Sequence, residues 1–111
     1  MSTDNLSIAT TLSNIAEVQR TRNQYELSLS YELKCFSIRE KVLLPNHEDI
    51  GKSLCKIGKC YEHLNQLKLA LEYYKQAIII YQQCFTFWDP DLNYLEFKIE
   101  ELSEQIDQIN I

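Results

Sequence analysis

Apolar residues in this chain recur at spacings of three and four, which places them on one face of an α-helix. The final stretch shows this most clearly, because its leucines and isoleucines alternate with acidic residues. They are Leu92, Leu95, Ile99, Leu102, Ile106 and Ile109. Shorter stripes begin at Ile8 and Ile50. The pattern predicts one helix that ends near Thr21, another that begins at Ile50, and a terminal helix over Leu92–Ile109.

Breaks of similar composition precede the second and third stripes. Pro45 ends one apolar run and Asp49 follows it, and Pro90 is followed by Asp91. Proline cannot continue a helix, and aspartate is a preferred N-cap because its carboxylate accepts free backbone N–H groups. We therefore predict N-caps at Asp49 and Asp91, and at the matching Ser7 for the first helix.

The chain contains an internal repeat. Residues 8–49 align with residues 50–91 without a gap, and ten aligned pairs are identical. They include Ile8 and Ile50, Leu12 and Leu54, and Ile15 and Ile57. Self-similarity at this period is typical of helical repeat arrays. Each copy is predicted to be a helix–turn–helix with Asn23 or Asn65 in the turn, since asparagine tolerates the left-handed conformation that closes many helices.

The second helix of each copy is less obvious. Tyr25–Leu33 alternates apolar and polar residues, which is a strand signal. Its counterpart Leu67–Lys75 alternates less cleanly and continues into a long run without glycine or proline. The repeat frame favours helices, which we predict over Tyr25–Leu43 and Leu67–Phe85.

These elements predict an all-α fold of five helices in one domain. Residues 1–6 are expected to be a flexible N-terminus, residues 7–49 and 50–91 form two repeats, and residues 92–111 form a terminal helix that starts a third repeat. We predict that the terminal helix covers the end of the stack. Its apolar spacing also suits a short coiled coil.

Composition argues against several classes of protein. The 111 residues carry a net charge of −5, whereas nucleic-acid binders usually have a basic balance. No apolar run approaches the roughly 18 residues of a membrane span. The N-terminus lacks the basic start and apolar core of a signal peptide, so the four cysteines are expected to be reduced thiols in a cytoplasmic protein.

Candidate catalytic and metal-binding chemistry is weak. Cys55, Cys60 and His63 have a suggestive spacing, but on one helix the two cysteines point about 140° apart, too far for one ion. Cys35 and Cys84 fall on second helices, where buried structural thiols are common. No catalytic triad or phosphate-binding loop is recognisable. We predict no enzymatic activity, no cofactor and no metal.

The repeat positions resemble the tetratricopeptide repeats of kinesin light chains. The second copy carries the pattern at Leu54, Ile57, Gly58, Tyr61, Ala70, Tyr74 and Ala77. The first copy departs from it at Gln19, Ser28, Glu32 and Cys35, although its linker of residues 38–49 is close to the light-chain type. The resemblance implies an α-solenoid whose first helices line a concave groove that binds a peptide or protein.

The second copy offers a basic surface toward such a groove. Lys52, Lys56, Lys59 and His63 lie opposite the packing stripe of their helix, with Cys55 beside them. Charge complementarity would attract an acidic peptide to this surface. Lysines at helical spacing are also the ordinary exterior of a solvated helix, so both interpretations stay open.

Neighbouring helices supply the other candidate partner-binding residues. The first copy contributes Ser13, Asn14, Glu17 and Arg20, and the terminal helix contributes Tyr94 and Phe97. The two aromatic residues would either anchor a partner or pack on a helix missing from this chain. A further cluster, Phe85, Phe87 and Trp88, is expected to plug the second joint or to form an exposed patch.

Three functions are compatible with this sequence. The leading one is a cytoplasmic adaptor or scaffold that binds a protein or peptide, with no role for nucleic acid or membrane. The second is a structural module that associates weakly with itself through the ends of an incomplete stack. The third is a fragment of a longer repeat protein whose activity lies in another domain.

Overall fold

The computed structural model describes residues 3–84 and 89–109, which form five α-helices and no strand. They are α1 (Thr3–Thr21), α2 (Tyr25–Val42), α3 (Glu48–His63), α4 (Leu67–Cys84) and α5 (Pro90–Ile109). Each helix packs mainly against its neighbours in the chain. The predicted all-α fold, two helical hairpins followed by a single helix, is confirmed.

The Asn turns are as predicted. Asn23 and Asn65 have φ angles of 62° and 61°, in the left-handed region. After each, the next residue returns a backbone hydrogen bond to the last turn of the helix, from Gln24 to Gln19 and from Gln66 to Tyr61. This is the Schellman closure, which satisfies carbonyl groups that a helix end leaves free. Both hairpins therefore turn with the same backbone geometry.

The predicted N-caps are two residues too late. Asp49 is not a cap, because α3 begins at Glu48 and Nδ1 of His47 accepts a 3.0 Å hydrogen bond from the Asp49 amide. Asp91 is not a cap either, because Oδ1 of Asp89 accepts from the amides of Asp91 and Leu92 at 2.9 and 3.2 Å. Proline lacks an N–H group and suits the first helical position, so Pro90 starts α5 rather than preceding it.

The helix bounds differ from expectation at the N-terminus. The predicted cap at Ser7 is wrong, because α1 already begins at Thr3 and no glycine or proline interrupts the residues between them. The predicted Phe85 end of α4 and the aromatic cluster of Phe85, Phe87 and Trp88 lie outside the described residues. Within the described ranges, no helix is long and apolar enough to cross a membrane.

Two glycines let α4 lie very close to α3. A Cβ atom on Gly58 would lie 2.9 Å from the ring of Tyr74, and one on Gly51 would lie 2.9 Å from the ring of Tyr81. Both rings are buried. Because real Cβ atoms do not approach this closely, each tyrosine occupies the space that a larger residue on α3 would need.

The first repeat fills the same positions differently. Its counterparts of the two glycines are Ala9 and Ala16, both buried, and its counterparts of the two tyrosines are Arg39 and Glu32. The alanine methyl groups are tolerated because no aromatic ring is packed against them. A charged pair of side chains therefore replaces two aromatic ones between α1, α2 and α3.

The two ends of the stack are unlike each other. In α5, Leu92, Leu95 and Leu102 are buried and α5 packs on α4. In α1, Ile8 is 50% exposed, whereas its counterpart Ile50 in α3 is 5% exposed. In the second repeat, α2 covers the matching face of α3. The α1 end therefore carries an open apolar stripe.

We predict that Gly58→Ala destabilises the protein by up to about 2 kcal/mol. The added methyl group must displace the Tyr74 ring, and overpacking a core costs about 1–3 kcal/mol. Alanine gains only about 1 kcal/mol over glycine in helix propensity. Urea unfolding measures the change.

The matched control is the same substitution in a Tyr74→Leu background. There the ring is absent, so Gly58→Ala should be neutral or stabilising, and the two effects should not add. Equal effects of Gly58→Ala in both backgrounds would show that the close approach is not limiting.

Candidate functional site

A cleft of about 320 Å³ lies between α3 and α5. We call it the α3–α5 cleft. Lys52, Lys56 and Lys59 line it together with Cys55, and the opposite wall is formed by Tyr81, Asp91 and Tyr94. The stripe Ile50, Leu54 and Ile57 is buried on the other side of α3. The packing of α3 thus turns its lysines toward α5.

Each lysine in the cleft has an intramolecular partner. Nζ of Lys59 lies 5.0 Å from the ring centroid of Tyr94, a cation–π distance. Nζ of Lys52 lies 3.9 Å from a carboxylate oxygen of Glu48 one helical turn away. Both lysines remain partly exposed, and such surface contacts are worth about 1 kcal/mol or less. Their ammonium groups can therefore exchange these partners for stronger ones.

Lys56 is held by the first repeat. Its Nζ donates to Oγ of Ser13 on α1 at 3.0 Å. Ser13 is itself buried and donates to Oε2 of Glu32 on α2 at 3.3 Å. Lys56 therefore lies between the α3–α5 cleft and a carboxylate inside the first repeat.

Glu32 was not among the residues that the sequence indicated as functional. It is 1% exposed, and among the described residues its Oε1 atom has no hydrogen-bond partner. Burial raises the pKa of the Glu32 carboxyl, and Lys56 and Arg39 offset only part of that effect. The sequence did contain a signal for Glu32, because this glutamate aligns with Tyr74 of the second repeat. A carboxylate in a core position needs its own partners.

Arg39 completes this polar network. Its Nη1 donates to Oγ of Ser53 at 2.9 Å, and Ser53 is fully buried on α3. The same nitrogen lies 3.5 Å from the carbonyl oxygen of Asp49. The charged replacements in the first repeat therefore bond across to α3, the helix that carries the cleft lysines.

The other candidate residues of α1 lie on its exposed side or pair locally. Asn14 is exposed. Glu17 and Arg20 form an ion pair with each other, and the hydrogen bond from Arg20 is the main cause that lowers the pKa of Glu17. Lys56 and Lys59 also lower the pKa of Glu17, so its carboxylate faces the cleft lysines.

His63 and Phe97 lie away from the cleft. The His63 ring stacks on Tyr25 of α2 with centroids 4.3 Å apart. Phe97, which is 61% exposed, lines a separate cavity with Glu100, Glu101 and Glu104. The structure therefore separates Phe97 from Tyr94, although the sequence grouped them.

An ion-pair chain fixes α5 to α3 next to the cleft. Nζ of Lys98 donates to Oε2 of Glu62 at 2.5 Å and to Oε1 of Glu101 at 2.9 Å. The other oxygen of Glu62 accepts a 2.8 Å hydrogen bond from the hydroxyl group of Tyr74. Burial opposes the charge of Lys98, but these hydrogen bonds outweigh it and raise the pKa of Lys98. The spacing between the two walls of the cleft is therefore set by direct bonds.

Three of the four cysteines are buried. Burial raises the pKa values of Cys35, Cys55 and Cys60, which keeps them as neutral thiols. The expectation that Cys84 is buried is wrong, because it is exposed near the end of α4. No group of three metal-ligating side chains occurs among the residues that the structure describes.

Comparisons with known proteins give one family match and matches to solved structures. The sequence model of the tetratricopeptide repeat family matches residues 7–83. A candidate kinesin light chain of Podosopora anserina with nearly identical TPR-like repeats has a TM-score of 0.81 at 15% identity, covering 92% of this chain and 48% of that one. A substituted form of that protein has a TM-score of 0.78 at 14% identity, covering 99% and 51%. No curated protein gives a significant match.

The chain spans about half the length of these two solved structures. At such low sequence identity the likeness concerns the fold alone.

We predict that Glu32→Gln makes stability less sensitive to pH. The pKa of Glu32 is raised in the folded state, so wild-type protein binds more protons folded than unfolded, and its stability falls as the pH rises above the ordinary value of 4.5. Glutamine cannot titrate. The stability of the variant relative to wild type should therefore increase with pH, by up to about 1.4 kcal/mol for each pH unit between the two pKa values.

Urea unfolding at several pH values between about 4 and 8 measures this difference, because other titrating groups cancel between the two proteins. A relative stability that is flat or falls with pH would contradict the assignment.

Proposed function

This chain belongs to the tetratricopeptide repeat family, and we propose that it binds a peptide segment of a partner protein in the groove formed by α1, α3 and α5. The fold of this family generally serves protein–protein interaction through a concave surface. The observation that carries this proposal is the α3–α5 cleft. It combines three lysines with an exposed tyrosine edge. The proposed role is binding rather than catalysis.

The charge of the cleft favours an acidic peptide. Lys52, Lys56 and Lys59 line one cavity, and the partners that hold the ammonium groups of Lys52 and Lys59 are partly exposed and easily exchanged. A carboxylate of a ligand would form charge-assisted hydrogen bonds with them, which are stronger than a cation–π contact or a 3.9 Å pair. Because the whole chain is acidic, this attraction is local and should decay with salt.

The size of the cleft favours a short segment. Its volume of about 320 Å³ lies at the lower end of ligand pockets, which are roughly 300–1,000 Å³. Tyr94 is 37% exposed and offers an aromatic surface at the edge. We propose that one apolar or aromatic side chain of the peptide packs on Tyr94 while flanking carboxylates reach the lysines.

We predict that acidic peptides containing an aromatic residue bind to the wild-type protein and that binding weakens as salt is raised. The double substitution Lys52→Glu/Lys59→Glu should weaken binding about tenfold or more, since losing two charge contacts and adding two repulsions amounts to at least about 1.4 kcal/mol. Fluorescence anisotropy with a labelled peptide measures the affinity.

The matched control is Lys68→Glu/Lys75→Glu, which makes the same charge change at two exposed positions of α4 outside the cleft. Its effect should be small and should disappear at high salt. Equal losses in both variants would mean that net charge, rather than the cleft, governs binding.

A second function is favoured by the open end of the stack. Ile8 and Val18 on α1 are 50% and 47% exposed, while their counterparts Ile50 and Cys60 on α3 are buried. We propose that this stripe supports either weak self-association or continuation of the array in a longer chain. Either arrangement would remove apolar surface from water.

We predict that weight-average mass rises with concentration in sedimentation equilibrium and that Val18→Glu prevents the rise. The control is Ile79→Glu, which places the same charge at another exposed apolar position, on α4. A strict monomer at all concentrations would exclude self-association, and equal effects of both variants would place the contact elsewhere.

A further inference from the structure

Lys56 contacts both the α3–α5 cleft and the buried polar network of the first repeat. Its side chain lines the α3–α5 cleft, and its ammonium group donates to Ser13 at 3.0 Å. Through Ser13 it reaches Glu32, the buried carboxylate that has an unpartnered oxygen among the described residues. The cation that supports Glu32 is therefore one of the three that face the proposed ligand.

We propose that Lys56 couples the groove to Glu32, so that an acidic ligand which recruits the Lys56 ammonium group causes Glu32 to take up a proton. This inference rests on the proposed binding function and adds its regulation by pH. It is specific to the first repeat of this chain, because the matching position of the second repeat holds Tyr74 instead of a carboxylate.

The groups that face Glu32 come from three helices. On α2 they are Arg39 and Cys35, and on α3 they are Ser53, Lys56 and Cys60, while α1 supplies Ser13. Arg39 is bound to Ser53 and to a backbone carbonyl group. The two thiols are neutral because burial raises their pKa values. Lys56, whose chain is long and partly exposed, is the cation that can turn toward the cleft.

The proton that Glu32 takes up comes from the buffer. Before binding, the Glu32 carboxylate is balanced by the Lys56 ammonium group through Ser13. After binding, the ligand carboxylate pairs with Lys56, and Glu32 binds a proton from the buffer to become a neutral acid. A buried carboxylate that loses its counter-charge shifts toward the protonated form. Binding then takes up at most about one proton per ligand, and affinity rises by up to about tenfold for each pH unit lowered in the titration range.

Calorimetric titration with an acidic, aromatic-containing peptide tests the coupling. The apparent enthalpy is measured at several pH values between about 5 and 8, in buffers with different ionisation enthalpies, which gives the number of protons taken up. Wild-type protein should take up protons on binding. Glu32→Gln should bind the peptide with little or no uptake.

Two of the three cleft lysines, Lys56 and Lys59, provide a matched comparison. Lys59→Gln removes a ligand-facing cation that lies over the ring of Tyr94, so it should weaken binding and keep the uptake. Lys56→Gln should weaken binding and abolish the uptake. Equal uptake in wild-type and Glu32→Gln proteins, or none in wild type while the peptide binds, would overturn the proposal.

A second measurement separates this inference from the proposed function. If no peptide binds, the proposed function fails, and carboxyl-carbon NMR of the free protein still tests the coupling. Lys56→Gln should raise the apparent pKa of Glu32, as recruitment of Lys56 by a ligand would, while Lys59→Gln should leave it unchanged. Equal pKa values of Glu32 in all three proteins would show that Lys56 does not support it.

Discussion

The close contact between α3 and α4 sets the geometry on which the rest of this structure depends. The rings of Tyr81 and Tyr74 occupy the space where side chains on Gly51 and Gly58 would lie. This packing fixes the rotation of α3 about its own axis, so that its isoleucines and leucine are buried and its lysines face α5. The same Tyr74 then bonds to Glu62, which holds Lys98 of α5. Core packing and cleft width are therefore linked through one side chain.

The first repeat keeps the backbone of the second but not its interior. Glu32 and Arg39 stand where the second repeat has tyrosines, and serines on α1 and α3 supply their partners. A buried polar network of this kind specifies one arrangement only when its members are satisfied, and it is costly when they are not. Here Lys56, a residue of the proposed binding surface, donates one of the hydrogen bonds of the network, to Ser13. The stability of the first repeat and the charge of the groove are thus not independent.

The sequence was sufficient for the helices and their register, since a 42-residue repeat of apolar spacing and Asn turns leaves few alternatives to stacked hairpins. It missed the true caps. At α3 local preferences rank Asp above His, whereas the cap is His47. At α5 aspartates stand on both sides of Pro90, and the cap is the earlier one, Asp89. Periodicity placed Lys52, Lys56 and Lys59 on one face. It did not separate Phe97 from Tyr94, or show that Glu32 reaches Lys56, because both depend on which neighbouring helix each side chain meets.

The central claim is that the concave side of α3, facing α5, receives an acidic peptide. The most direct measurement is the change in backbone amide chemical shifts of the labelled protein as such a peptide is added. We expect shifts that cluster at Lys52–Lys59, at Ser13 and around Tyr94, with little change along the exposed side of α4 near Lys68 and Lys75. Shifts confined to α4, or none at saturating peptide, would contradict the account.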